Sequence, residues 1–212
     1  MVGMARKSSG AWEWSRTAQT RKSMLQAARE VFGEHGFAEA NVADVVTRAG
    51  SSVGSLYHHF GGKAELFMAL WEDHQVAQEQ ASASSVARAR QEGVDDPVEL
   101  LITGSRAYLT GAWDRRDLVR LFMDGDGPPG FELLRRTRGR QWLRQNAALL
   151  GAGADPIDRL TVAVLTSVIG EAAREVATSD TEAAAREVIE AAVILIRRLD
   201  PVSRRPRPDP AR

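Results

Sequence analysis

Residues 49–66, AGSSVGSLYHHFGGKAEL, contain a short helical segment enclosed by two glycine turns. Gly50 ends the preceding helical segment VADVVTRA (42–49), and a serine just after it can cap the next segment, VGSLYHHF (53–60). Two short helices joined by a tight turn form a helix-turn-helix. We therefore predict a helix-turn-helix whose second helix is able to lie in the major groove of DNA.

The chain on either side of this motif also has helical periodicity. Upstream, Met24, Ala28, Val31 and Phe32 fall at spacings of three and four and form one apolar stripe. No run of residues alternates with a period of two, so no strand is predicted. The fold class is therefore all-α, with three helices in a small head and six in a larger body. The predicted helices are 17–34, 42–49, 53–60, 62–90, 96–113, 114–124, 129–150, 156–178 and 181–199.

The composition excludes several classes of site. The chain has no cysteine, which rules out disulfides, thiolate catalysis and cysteine-based metal sites. Its net charge is zero, but residues 1–63 carry eight Lys and Arg against five Asp and Glu. No apolar leader or membrane-length apolar run is present, so we expect a cytoplasmic protein with no membrane partner.

Two glycine motifs resemble phosphate-binding loops and fail as such. Gly62-Lys63 is followed by Ala64, and Tyr57 occupies the position of the first glycine of a Walker loop. The segment GDGPPG (125–130) has the glycine spacing of a dinucleotide fingerprint but follows a helix, and its prolines lack the N–H groups that hold pyrophosphate. Neither motif predicts a nucleotide site.

A metal site is not predicted either. His58 and His59 are adjacent, so on a helix they point about 100° apart and do not chelate one ion from one face. The segment DGDG (124–127) begins like a calcium loop but lacks the later ligands. We predict no metal and no cofactor.

The residue types around the second short helix suit DNA. Val53 is able to contact a thymine methyl group, Ser55 is able to bond a base edge, and Gly54 permits close approach. Lys63 opens the following helix, where its charge adds to the positive helix end and favours a phosphate. The predicted DNA-binding residues are Arg21, Lys22, Asn41, Ser52, Val53, Gly54, Ser55, Tyr57, His58 and Lys63.

The run 49–66, together with AAREVFGEHGFAEANVADVV (27–46), resembles the DNA-binding region of the TetR family of transcriptional regulators. The similarity covers about residues 17–68. It implies a three-helix DNA-binding head and a six-helix body that dimerises and binds a small effector. The expected organisation is then a disordered arm at 1–16, the DNA-binding domain at 17–61, the effector and dimerisation domain at 62–200 and a disordered tail at 201–212.

The body offers aromatic side chains for an effector cavity and small residues for helix contacts. Either the aromatics line a cavity or they only pack the core; the candidates are Trp71, Tyr108, Trp113, Phe122, Phe131 and Trp142. The last two helices mix small and large apolar residues on more than one side, as expected for a dimer interface. Its candidates are Leu160, Ala163, Val164, Ser167, Gly170, Val188, Ala192 and Leu195.

The resulting hypothesis is a homodimeric transcriptional regulator, a repressor, on a palindromic or near-palindromic double-stranded DNA operator. An unidentified small-molecule effector would release it. The alternative is a helix-turn-helix protein without a ligand that acts as a structural or co-regulatory factor. An enzyme is not predicted, because no paired base and nucleophile is found in the body.

Overall fold

The computed structural model describes the backbone of residues 7–123 and 126–199, and the side chains from residue 17 onward within those ranges. These residues form nine α-helices and no strand, which confirms the all-α prediction. No helix in the described part of the chain is long and apolar enough to cross a membrane. The helices are α1 (Lys7–Glu39), α2 (Val42–Arg48), α3 (Val53–Phe60), α4 (Lys63–Gln91), α5 (Pro97–Asp114), α6 (Arg116–Met123), α7 (Phe131–Leu149), α8 (Pro156–Thr178) and α9 (Glu182–Arg198).

Side-chain caps fix the starts of five of these helices. Each cap residue has extended backbone angles, and its side-chain oxygen accepts a hydrogen bond from a backbone N–H in the first turn. The five caps are Asn41, Ser52, Asp96, Asp155 and Thr181. The cap expected at the serine before α3 is thus confirmed at Ser52, and caps of this kind explain why these helix starts were predicted to within a residue or two.

The first compact unit comprises residues 7–74 and 126–131. Its core contains the predicted stripe on α1, in which Met24, Ala28, Val31 and Phe32 are all buried. Aromatic rings also pack in this core: the rings of Phe67 and Phe32 meet edge to face, with their centroids 5.4 Å apart. Burial of several large side chains in so small a unit supplies most of its stability.

The predicted arm at residues 1–16 is corrected in part. Helix α1 begins at Lys7, so residues 7–16 are helical. In the segment KSSGAWEWSR (7–16), Gly10 is the weak helix former and there is no proline. The helix that forms further along the chain therefore extends back through this polar segment. Residues 1–6 and the predicted tail at 201–212 lie outside the described residues.

Helix α1 breaks at Gly36, whose φ of 73° and ψ of 177° are non-helical. This backbone conformation is essentially restricted to glycine. Two hydrogen bonds hold the backbone of Ala38, two residues after this break. The Ala38 N–H donates to Asp126 Oδ2 at 2.9 Å, and Lys63 Nζ donates to the Ala38 carbonyl at 2.8 Å. The sequence predicted a helix over 17–34; α1 instead continues past residue 34 and turns at Gly36.

We expect Gly36→Ala to lower the free energy of unfolding of the first unit by at least about 2 kcal/mol. An added Cβ would lie 2.7 Å from Asp126 Oδ2, and the backbone angles would be strained as well. Urea denaturation followed by circular dichroism measures the change. Gly33→Ala is the matched control, because its Cβ would meet nothing within 4 Å in a helical segment and should be neutral or stabilising. Equal effects of the two substitutions would contradict this account.

The second unit comprises residues 75–123 and 132–199. Helices α8 and α9 pack against each other and against α5, and α6 packs against α8. Small buried side chains, including Ala112, Ala172 and Ala185, let these helices approach closely. The first unit continues to residue 74 and includes 126–131. The boundary expected at residue 61 between the DNA-binding domain and the effector domain stays a prediction.

Candidate nucleic-acid interface and effector cavity

The turn between α2 and α3 is closed by the backbone of α2. The Ser51 N–H donates to the Val46 carbonyl at 2.8 Å, and the Gly50 N–H donates to the Thr47 carbonyl at 3.1 Å. Gly50 has a φ of 62°, a left-handed value that favours glycine. The predicted helix-turn-helix is therefore formed, with Gly50 at its turn.

One side of α3 is buried and the other faces solvent. Leu56 is fully buried, whereas Tyr57 is 55% exposed and Val53 is 45% exposed. Gly54 and His58 are also exposed, and a Cβ at Gly54 would meet nothing within 4 Å. The structure thus places four of the predicted DNA-binding residues on the accessible side of one helix.

Three further predicted residues have polar groups engaged at the helix starts. Ser52 Oγ accepts from the Ser55 N–H at 3.2 Å, and Asn41 Oδ1 accepts from the Ala43 N–H at 2.9 Å. Ser52 and Asn41 are exposed and Ser55 is half-buried. The capping role of Ser52 and Asn41 is established by this geometry, and the DNA contacts of all three residues stay predictions.

Two of the predicted phosphate-binding cations are already bonded within the head. Arg21 Nη1 donates to the His59 carbonyl at 3.3 Å, and its guanidinium lies 4.5 Å from the centre of the Phe60 ring. Lys63 Nζ, bonded to Ala38, lies 4.9 Å from the Phe37 ring centre. Each cation has more N–H donors than these bonds use, so these contacts orient the side chain without excluding a phosphate. Lys22 is exposed.

An ion pair that was not predicted joins α2 to α1. Arg48 donates to both carboxylate oxygens of Glu34, at 2.7 and 3.0 Å. The hydrogen bond from Arg48 lowers the pKa of Glu34. The sequence gives no signal for this pair, because the two residues are brought together only by the turn after Gly36.

The second unit contains a cavity of about 520 Å³ between α4, α5, α7 and α8. Tyr108 and Trp142 line it, as predicted, with their ring centroids 4.4 Å apart in an edge-to-face arrangement. The lining also contains polar and small residues that the sequence did not single out. These are Glu79, Gln80, Ser82, Ala83, Arg90, Gly104, Ser105, Gln145 and Asn146.

The other four predicted aromatic residues do not line this cavity. Trp71 and Phe131 pack against each other in the first unit, with ring centroids 5.8 Å apart. Trp113 is half-buried beneath the guanidinium of Arg116, and Phe122 is buried. A spacing argument identifies inward-facing aromatics but does not separate cavity walls from filled core.

Several polar groups at the cavity have defined partners. Glu79 Oε1 accepts from Arg138 Nη1 at 2.9 Å and from the Trp142 indole N–H at 3.3 Å. Asn146 donates to Thr166 Oγ1 at 3.0 Å. Burial raises the pKa of Tyr108 to about 12.

The predicted dimer-interface residues lie mainly on one exposed apolar face of α8 and α9. Leu160 is 63% exposed, Val164 and Leu195 are also exposed, and Ile194 adds a residue that was not predicted. Ser167 and Gly170 are exposed, and Ala163 and Val188 are half-buried.

Ala192 is a correction to this set. It is 3% exposed and packs in the core of the second unit. The reason is its position on α9: it lies three residues after Ile189 and four before Ile196, both buried, so it belongs to the inward stripe. The outward stripe instead contains Leu195.

The closed turn at Gly50 and the exposed side of α3 define a helix-turn-helix, which is joined to a helical second unit. A model of the family described as bacterial regulatory proteins, tetR family, matches residues 24–70. Curated relatives include the HTH-type transcriptional regulator BetI 1 of Chromohalobacter salexigens, 34% identical over 49% of this chain and 47% of that protein. The repressor AcnR of Corynebacterium glutamicum is 35% identical over 37% of this chain and 42% of that protein.

Solved structures share the fold over most of the chain. A TetR-like regulator from Rhodococcus sp. RHA1 is 23% identical, covers 85% of this chain and 92% of its own, and has a TM-score of 0.64. A SmeT–triclosan complex is 20% identical, covers 81% of this chain and 90% of its own, and has a TM-score of 0.59. The chain spans less than half the length of these curated relatives. The match to the tetR family model is confined to residues 24–70, and the solved structures show that the chain shares the fold of TetR-like regulators.

Proposed function

We propose that the protein is a homodimeric transcriptional repressor that binds a palindromic operator in the cytoplasm and is released by a small molecule. The observation that carries this proposal is α3, which follows a closed turn and presents Val53, Gly54, Tyr57 and His58 to solvent. The relatives are regulators rather than enzymes, and one is named a repressor.

The DNA contacts follow from the docking geometry of a recognition helix. Its N-terminal residues meet base edges, which gives Val53 and Ser55 the reading role, and Tyr57 and His58 extend the same surface. The N-terminus of α4, beginning at Lys63, supplies a positive helix end for a backbone phosphate.

The partner proposed for the apolar face of α8 and α9 is a second copy of the chain. Large side chains such as Leu160 and Val164 are costly to leave in water, and neighbouring small residues permit close helix packing. A two-fold axis through this face would give a dimer with two copies of α3, one from each subunit. Two copies of α3 then read the two halves of a palindrome about one helical turn or somewhat more apart.

The cavity in the second unit is the proposed effector site. Its volume of about 520 Å³ is within the range of small-molecule sites, and its walls combine aromatic rings with a few polar groups. An effector releases DNA only to the extent that it binds the non-binding conformation more tightly. A ligand-free co-regulator is the remaining alternative, and release from DNA by a cavity-bound compound would exclude it.

Binding to a selected operator at increasing salt tests the phosphate contacts. We expect a steep decrease of affinity with salt, and we expect Lys63→Ala to reduce the logarithmic slope by about one unit per half-site. Titration by fluorescence anisotropy over a series of salt concentrations measures the slope.

Arg144→Ala is the control for this experiment, because Arg144 is an exposed cation on α7 in the second unit. It should leave the slope unchanged. If Lys63→Ala also leaves the slope unchanged, Lys63 only ties α4 to the Ala38 carbonyl and is removed from the DNA contacts.

A further inference from the structure

The cavity in the second unit is elongated along α4. Glu79, Ala83, Val86 and Arg90 line it at spacings of three and four residues, which places them on one face of the helix. Eleven residue steps at about 1.5 Å each separate the first from the last, or about 16 Å along the helix axis. The cavity therefore suits an extended ligand better than a compact one.

Much of the cavity wall is apolar. Ala83 and Val86 on α4 line it together with Leu101 on α5, Leu149 on α7 and Ile169 on α8. The rings of Tyr108 and Trp142 form part of the same wall. A hydrocarbon body gains the hydrophobic contribution of burial in such a site.

The two ends of the cavity differ in charge. At one end, the carboxylate of Glu79 is neutralised by Arg138 and also accepts from Trp142. At the other end, Arg90 forms no ion pair or hydrogen bond with any of the described residues. A ligand cation would have to displace Arg138, whereas a ligand anion finds an available guanidinium.

We propose that the effector is an elongated amphipathic anion, with an apolar body along α4 and a carboxylate or similar acidic head at Arg90. This assignment rests on the proposed function of the cavity as the effector site. It also gives the cavity a preferred ligand orientation, because Arg90 is available to the acidic head whereas Arg138 at the other end is already paired with Glu79.

Three probes of equal chain length test the charge preference: dodecanoate, dodecanol and dodecylamine. Isothermal titration calorimetry on the full chain, below the micellar concentration or solubility limit of each probe, should show dodecanoate binding about tenfold more tightly than dodecanol. Dodecylamine should bind most weakly. Arg90→Gln should remove the advantage of dodecanoate by reducing its affinity about tenfold to that of the alcohol.

Two controls locate the binding. Arg88→Gln changes an exposed arginine of α4 outside the cavity lining and should leave the preference intact. Ala83→Trp fills the middle of the cavity and should abolish binding of all three probes.

Several results would overturn the proposal. These are equal affinities for the acid and the alcohol, an undiminished preference in Arg90→Gln, or dodecanoate binding that survives Ala83→Trp. If no probe binds while a compound of another class releases the protein from DNA, the anion assignment is wrong and the proposed effector site stands. If dodecanoate binds as expected but never affects DNA binding, the anion site is supported and the proposed effector function fails.

Discussion

Replacement of Val53 by glutamate is expected to lower operator affinity about a hundredfold or more while leaving the fold intact. The substitution removes an apolar contact to a base and brings a carboxylate towards the phosphates, once in each half-site of a dimer. Val53 is the first residue of α3 and is exposed, and a negative charge at that position is favourable to the helix itself. Electrophoretic mobility shift with a selected operator measures the loss.

Val76→Glu is the matched control for Val53→Glu. Val76 is another exposed valine, 39% exposed against 45%, on α4 in the second unit. It should leave operator affinity within a fewfold of the unsubstituted protein. If Val53→Glu also binds the operator normally, with circular dichroism showing both variants folded, α3 does not read DNA.

Leu160→Asp is expected to convert the protein from dimer to monomer and thereby to abolish stable operator binding. Leu160 is on the exposed apolar face of α8, and the two-fold axis would place two aspartates in one interface. A monomer retains only one recognition helix, so the contribution of the second half-site is lost. Sedimentation equilibrium measures the mass, and mobility shift measures DNA binding.

Leu133→Asp tests whether any exposed leucine has this effect. Leu133 is 66% exposed and belongs to α7 rather than to α8 or α9, so the same substitution should leave a dimer that binds DNA. A Leu160→Asp protein that remains dimeric at micromolar concentration would show that another surface forms the dimer.

The head was predictable because its signals are local. Asn41 and Ser52 are capping residue types placed directly before apolar helical segments, and Gly50 occupies the only left-handed position between α2 and α3. Such signals depend on the nearest few residues, and one chain is enough to read them.

Contacts that depend on distant segments were not predictable. The bond from the Ala38 N–H to Asp126 joins residues 88 positions apart. The contact that accompanies the non-helical conformation of Gly36 therefore forms only when the chain has folded. No sequence pattern marks Asp126 as the partner.

The cavity is a second case in which periodicity gave only part of the answer. Tyr108 and Trp142 were selected as aromatic residues facing inward, and so were Trp71 and Phe131, which fill the core of the first unit. Four helices leave a cavity between them only where the summed volume of their side chains is too small to fill the space. The α4 residues of the lining became apparent only from the structure.

The most direct measurement of the central claim is selection of duplex DNA from a random pool by the purified full chain at near-physiological salt, followed by sequencing. A homodimer with two outward-facing α3 helices predicts an enriched palindrome or near-palindrome with half-site centres about one helical turn or somewhat more apart. The Val53→Glu protein carried through the same selection should enrich nothing. Absence of any enriched sequence with the unsubstituted chain would contradict sequence-specific operator recognition.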